Sequence, residues 1–238
     1  HYYPANNANQ VWNFLLNQGK INLNKPREIP PGSWVHDYWK GEPCYIVAAG
    51  GSLNGFDYSL LKGRHTIGIN HKIEDYDGFE WFIFLDQRFL NLTTYDMTKY
   101  KGHIFAQNTT DLNPSERITL FKCKNDSVSY SFEDGLFKSA LTGLVALNLA
   151  ILSGANPIYL LGFDCGGVHD EKGHHHTDGY TGEVQNFEKL KKYQRTAYFF
   201  DNFSQWKNRI VNLSEQSNIK TFKKQSWKSH FAKPEIKI

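Results

Sequence analysis

A chain of 238 residues, 40% hydrophobic and 15% aromatic, can bury one substantial core and is too apolar for a disordered segment. Its formal net charge of +3, with no Lys/Arg block, argues against a dedicated nucleic-acid binder. The longest apolar stretch, "ALTGLVALNLAIL", is about one soluble-helix length, so no integral membrane segment is expected.

Cys44, Cys123 and Cys165 are widely spaced and form no CxxC motif, which points to a reducing compartment and away from a zinc site. The opening "HYYPANNANQ" lacks the charged and apolar regions of a secretory leader, so a cytoplasmic location is expected.

Along the chain, "NANQVWNFLLNQ" at 7–18 reads as a short leading helix. The Pro- and Gly-containing stretch that follows reads as irregular, and residues 1–43 together form a covering segment. Its Trp12, Trp34, Tyr38 and Trp39 either pack as core and lid or stack on a sugar or base. Residues 44–238 read as one α/β domain. "CYIVAA", "HTIGIN", "EWFIFLD" and "GHIFAQ" are strand candidates, apolar without alternation, as in a parallel sheet covered on both faces. Residues 108–138 are turn-rich, with a possible hairpin at "SVSYSF". Ser139 then reads as the N-cap of a helix apolar on nearly every side, Gly154 as its left-handed end, and "PIYLLGFD" as the next core strand. Val184 to Trp206 carries apolar residues three to four apart, the pattern of an amphipathic helix, and "RIVNLS" supplies a last strand. The fold class is a single, mostly parallel α/β sheet with helices on both faces.

Ligands of such sheets bind beyond the carboxyl ends of the strands. Those positions hold Gly50, Gly51 and Ser52; Asn70 and His71; Asp86 and Gln87; Gln107 and Asn108; and Asp164. "AGGS" is neither GxGxxG nor a P-loop, and two readings stand: a tight turn, or a backbone left open to a phosphate. Asp86 either binds a ribose or caps the next helix. Asp164 either orients a histidine or ties down the Gly166-Gly167 turn. The "DYD" at Asp75–Asp77 precedes a strand, the wrong end for a metal site, and reads as a solvated turn. In "CGGVHDEKGHHHTDGYTGE" an extended chain would put His174, His176 and Asp178 on one side and His175 on the other. That stretch is a catalytic or substrate-binding loop with Tyr180 among its contacts, a metal site, or a solvated loop.

"YIVAAGGSLNGFDYSLL…TIGIN" and "SALTGLVALNLAILSGANPIYLLGFD" resemble the bacterial lipooligosaccharide sialyltransferases. The closing "IVNLSEQSNIKTF" is similar to uncharacterised bacterial and phage proteins of a hydroxymethylpterin-diphosphokinase-like superfamily. The resemblance runs from about Cys44 to Phe222. It implies a Rossmann-like nucleotide-sugar fold, with Gly50, Gly51, Ser52 and Asn70 holding the nucleotide and Thr142 and Gly143 beside it. It also implies a loop histidine as base in the stretch that follows Asp164, and the side shared with Asp178 in an extended chain favours His174 or His176 for it. The family has a tyrosine after its Gly-x-Asp strand that helps the leaving phosphate; here Cys165 and Gly166 follow, which leaves the donor base open. The expected activity is metal-independent transfer of a sugar from a nucleotide donor to a glycan or other hydroxyl acceptor, with no further cofactor. The alternatives are a Mg²⁺-dependent pyrophosphokinase-like phosphotransferase and a non-catalytic nucleotide- or glycan-binding protein.

Overall fold

The four apolar runs nearest the start of the domain form adjacent strands, β1 (Cys44–Val47), β2 (His65–Ile69), β3 (Trp81–Phe84) and β4 (His103–Gln107). This computed structural model describes residues 32–125, 127–138, 141–166 and 196–232. β5 (Ile118–Phe121) extends the sheet beyond β4, while β8 (Ile158–Leu161), β9 (Ile210–Asn212) and β10 (Lys223–Lys224) extend it beyond β1. The order is β10-β9-β8-β1-β2-β3-β4-β5, and every pairing in it is parallel. A single Rossmann-like α/β sheet is therefore the architecture.

Successive side chains of a strand point to opposite faces, so runs apolar at every position need two covers. Ile46, Ile67, Ile69, Trp81, Ile83, Phe105 and Phe121 enter one core. Tyr45, Val47, Phe82, Phe84, Ile104, Ala106 and Leu120 enter the other. The first core is closed by the helix Thr142–Leu152, by Val35 and Trp39 of the covering segment, and by Phe200 and Phe203. The second takes Leu53, Leu61, Ile73, Phe89 and Leu90 from the short helical turns that link β1 to β4.

From Leu144 to Leu152 every side chain of the helix is buried, which explains its lack of a polar face. Fully burying a leucine or valine contributes about 1.5–3 kcal/mol, so this helix is a main anchor of the fold. Its one polar interior residue, Asn148, accepts from Ser129 N (3.0 Å) and Phe137 N (2.9 Å) and donates to Ser129 O (2.9 Å). Those bonds seat the 127–138 stretch on the helix. Gly154 ends it at φ +77, as the sequence suggests.

Four local expectations are corrected. "SVSYSF" forms no hairpin; β6 (Cys123–Asn125) and β7 (Leu136–Lys138) flank it and pair in parallel as a separate two-stranded sheet. The buried helix starts at Thr142 with Leu141 at its N-cap position, two residues later than a Ser139 cap would give. Within 184–206, the described part is a 3₁₀ run, Ala197–Arg209, whose buried Ala197, Phe200 and Phe203 recur every three residues. β9 is followed by one more strand, β10. The leading-helix expectation at 7–18 lies outside the described residues.

Candidate functional site

β1 leads outward through β2 to β5, and the chain then returns through the Thr142–Leu152 helix to lay β8 on β1's other side. The strand order thus reverses between β1 and β8, the point where doubly wound sheets open a crevice at their carboxyl ends. The segments that leave β1 and β8 there are Ala48–Ser52 and Gly162–Asp164.

They lie backbone against backbone. Ala48 N donates to Leu161 O (2.8 Å) and Gly50 N to Gly162 O (2.9 Å). A Cβ on Gly50 would stand 2.4 Å from Gly162 O, and one on Gly162 would stand 2.4 Å from Ala48 O. The glycine at position 50 is therefore needed by the protein's own close packing. Gly51 opens a 3₁₀ turn, Gly51–Leu53. Among the described residues its N–H meets no acceptor, which leaves it as a donor at the crevice.

Ser52 is bound to Asp164. Its N–H donates to Oδ2 (2.8 Å) and its hydroxyl to Oδ1 (2.5 Å). Ser52 Oγ also lies 2.9 Å from Ser214 Oγ, which accepts from Phe163 N (3.0 Å). A hydroxyl has one proton, and Ser52 gives its own to Asp164, so the Ser214 hydroxyl donates to Ser52. Asp164 is only 5% exposed, and these bonds meet its charge where water cannot. Its carboxylate thus fastens the β1 turn, while the loop histidines and Gly167 of the two sequence readings lie outside the described residues. Ser52, expected to hold a ligand, has both donors committed to Asp164.

The loop after β9 builds the other wall. Ser217 Oγ donates to Phe163 O (2.5 Å), Asn218 N to Asp164 O (3.0 Å) and Asn218 Nδ2 to Cys165 O (3.0 Å). Trp227 Nε1 reaches Ser52 O (2.7 Å). Sequence reasoning missed these three residues and Ser214. For Ser214, Ser217 and Asn218 the signal was present in "NLSEQSN", a run of hydroxyl and amide side chains at the end of a strand. Cys165 adopts φ +49, and burial pushes its thiol pKa up to about 12, with the Asp164 charge adding to the rise.

On the opposite side of β1, Asn70 leaves β2 at φ +51, and its Nδ2 donates to Thr142 Oγ1 (3.3 Å). A Cβ on Gly143 would stand 2.6 Å from Phe163 Cε1, so the helix start lies directly against the residue before Asp164. The structure thus brings Gly50, Gly51, Ser52, Asp164, Asn70, Thr142 and Gly143 to one edge. Asp86 and Gln87 stand apart at the end of β3. Asp86 caps the helix Gln87–Leu92 through Phe89 N (3.2 Å), and Gln87 Oε1 accepts from Asp111 N (3.0 Å).

His71, also at the end of β2, is buried, with Nδ1 2.8 Å from Glu74 Oε1. Burial pushes the Glu74 pKa up, but bonds from His71, Thr94 and Thr93 outweigh it and hold the carboxyl below its usual range. In the "DYD" string, Asp75 accepts from the fully buried Lys72 and Asp77 from the Tyr95 hydroxyl (2.9 Å), so both aspartates are engaged by protein groups rather than merely solvated. Among the described residues no three His, Cys, Asp or Glu side chains cluster as metal ligands would. His174, His175, His176, Asp178 and Tyr180 lie outside the described residues, as does Ser139. Among the described residues no helix is long and apolar enough to cross a membrane.

No protein-family model matches the chain, and no curated protein or solved structure does.

Proposed function

We propose that this chain binds a nucleotide-activated sugar at the carboxyl edge between β1 and β8 and transfers the sugar to a hydroxyl acceptor. The observation that carries the reading is the reversal of strand order at that point, with the Gly51 N–H left as a donor beside it. Asn70 and Thr142, joined across the edge, add amide and hydroxyl groups suited to a ribose or base. In the proposed reaction the acceptor hydroxyl gives its proton to a histidine, His174 or His176, while its oxygen bonds to the anomeric carbon. The bond from that carbon to the donor phosphate breaks, and the nucleotide leaves with the electron pair. A phosphate leaving group needs no proton at neutral pH, which fits a site where Cys165 stands in place of a tyrosine. The reaction is expected to run without a metal.

The test is calorimetric titration of CMP, UMP, GMP and AMP into the wild type and into Gly51→Val, with thermal melts to establish that the variant is folded. At least one nucleotide should bind the wild type, and a side chain at Gly51 should abolish that binding. Transfer from the matching nucleotide sugar should then persist in EDTA. Absence of binding in the millimolar range, or equal binding by a folded Gly51→Val, overturns the reading.

A further inference from the structure

The short helix Trp227–Phe231 bridges strand β1 and the turn that follows it. Trp227 Nε1 donates to Ser52 O (2.7 Å), one residue past Gly51. His230 Nε2 stands 3.0 Å from the hydroxyl of Tyr45, within β1. The same hydroxyl receives an N–H from Arg64 (3.2 Å), whose guanidinium lies 5.3 Å from the Tyr45 ring and 5.4 Å from the Phe231 ring. Tyr159 of β8 packs its ring 4.4 Å from the imidazole.

These contacts fix which atom holds which proton. Arg64 can only donate, so the Tyr45 oxygen accepts from it. Tyr45 is 2% exposed, and among the described residues His230 Nε2 is the one acceptor bonded to its O–H. The bond therefore runs from Tyr45 to an unprotonated Nε2. A protonated imidazole carries an N–H at both nitrogens and cannot accept. It would leave the buried Tyr45 proton without a partner, which is costly, and set a second cation against the oxygen that Arg64 already holds. The titratable and charged groups that face His230 are Tyr45, Tyr159 and Arg64, with Lys228 exposed on its own helix. Neither His230 nor Arg64 has a carboxylate partner among the described residues. Burial, and after it the Arg64 charge, lower the His230 pKa, in keeping with a neutral ring.

We propose that His230 is an acid-released latch: its neutral ring docks the Trp227–Phe231 helix on Tyr45, and its protonated ring lets the helix go. The helix's other hold, Trp227 on Ser52 O, is on the turn that Ser52 fastens to Asp164. Release therefore loosens the turn that carries the Gly51 N–H, and a ligand held there is lost as the pH falls. This consequence rests on reading that edge as the ligand site. The sign follows from the depressed pKa. Docking is complete above the ordinary histidine value of 6.5 and is lost as the pH falls through the lower value of the docked ring.

The amides of Trp227 and His230 donate to Leu213 O (3.2 Å) and Ser226 O (3.0 Å), so their hydrogen exchange reports docking. The experiment follows that exchange in the wild type and in His230→Gln from about pH 8 to about pH 5, each rate divided by the intrinsic rate at that pH. Wild-type protection should fall by about tenfold across the range, the size of one lost hydrogen bond. The glutamine amide can accept at every pH, so the variant should stay protected throughout. Amides of the buried Thr142–Leu152 helix should stay protected in both proteins, which marks the opening as local. Constant wild-type protection, an equal loss in His230→Gln, or simultaneous loss in the buried helix overturns the latch. Calorimetry of CMP, UMP, GMP and AMP at both ends of the range reads the coupling. Phosphate titration affects both proteins alike, so affinity should fall further in acid for the wild type than for His230→Gln. Equal falls overturn the link from latch to site. A latch that opens in acid while no nucleotide binds at either pH supports the latch and sinks the nucleotide reading; nucleotide binding with a helix indifferent to pH does the reverse.

Discussion

At the scale of single residues, Cys165 is the sharpest case of a side chain whose chemistry is set by its surroundings. It follows the Gly-Phe-Asp end of β8 in a left-handed conformation, and its thiol is pushed to about 12 by burial and by Asp164. Alkylation requires the thiolate. At pH 8 a thiol with that pKa should react about 10³-fold more slowly than an unperturbed one. Treating the folded protein with iodoacetamide and mapping the modified peptides should leave Cys165 intact, whereas in urea it should be modified within the same exposure. Equal rates in the two states would mean that Asp164 and the crevice wall do not shield the sulfur. Gly50 teaches a complementary lesson. A missing side chain beside a strand looks like an invitation to a ligand, yet here another segment of the same chain fills the space.

At the scale of elements, the closing helix Trp227–Phe231 is too short to persist in isolation and is held by what it touches. Trp227 donates to Ser52 O (2.7 Å) and sets its ring edge-on to Phe56 at 5.2 Å. Three residues on, His230 Nε2 lies 3.0 Å from the Tyr45 hydroxyl, which also accepts from Arg64 (3.2 Å). Burial, and secondarily the Arg64 charge, lower the His230 pKa, so the contact favours a neutral imidazole. The helix is thus a strap from the β1 strand to the β1 turn. Trp227→Phe retains an aromatic ring but removes the donor to Ser52, and one net hydrogen bond is worth about 1 kcal/mol. Urea denaturation should show a lower midpoint of corresponding size with an unchanged slope. Coincident curves would mean that the strap is held by ring packing alone.

For the molecule as a whole, stability should depend on acidity through His103, at the start of β4. Its Nε2 is 2.7 Å from Thr119 Oγ1, and Trp34 and Phe105 lie against its ring. Burial, followed by the Arg117 charge, lowers its pKa from 6.5 to about 4. The unfolded chain therefore takes up this proton first as the pH falls. The stability that neutral His103 contributes is complete above about pH 6.5 and is lost progressively down to about pH 4. Denaturation midpoints measured across that window should fall more gently for His103→Gln than for the wild type, by up to one proton's dependence. A variant with the same slope as the wild type would place the acid sensitivity elsewhere. Charge is also unevenly spread at this scale. Residues 196–232 hold six Lys and Arg against two Asp and Glu, although the chain's net charge is only +3.

Apolar runs without alternation at "CYIVAA", "HTIGIN", "EWFIFLD", "GHIFAQ" and "PIYLLGFD" were enough to call for strands covered on both faces, because burial on each side demands an apolar residue at every position. An all-round apolar segment closed by Gly154 was enough for a buried helix. Both are local properties, written in consecutive residues. Cys123–Asn125, Leu136–Lys138 and Lys223–Lys224 were not legible, since two or three residues carry too little pattern to separate a strand from a turn, and Ile118–Phe121 was hidden in a polar, turn-rich stretch. The candidate site was legible as a set of strand-end positions but not as a set of partners. Which strand lies beside β1 decides where the order reverses, and that depends on how the Thr142–Leu152 helix packs across the sheet. The bonds of Ser52 to Asp164, 112 residues away, and of Trp227 to Ser52, 175 residues away, follow only from that packing. A polar side chain specifies the hydrogen bonds it needs, and the tertiary structure alone decides which distant group supplies them.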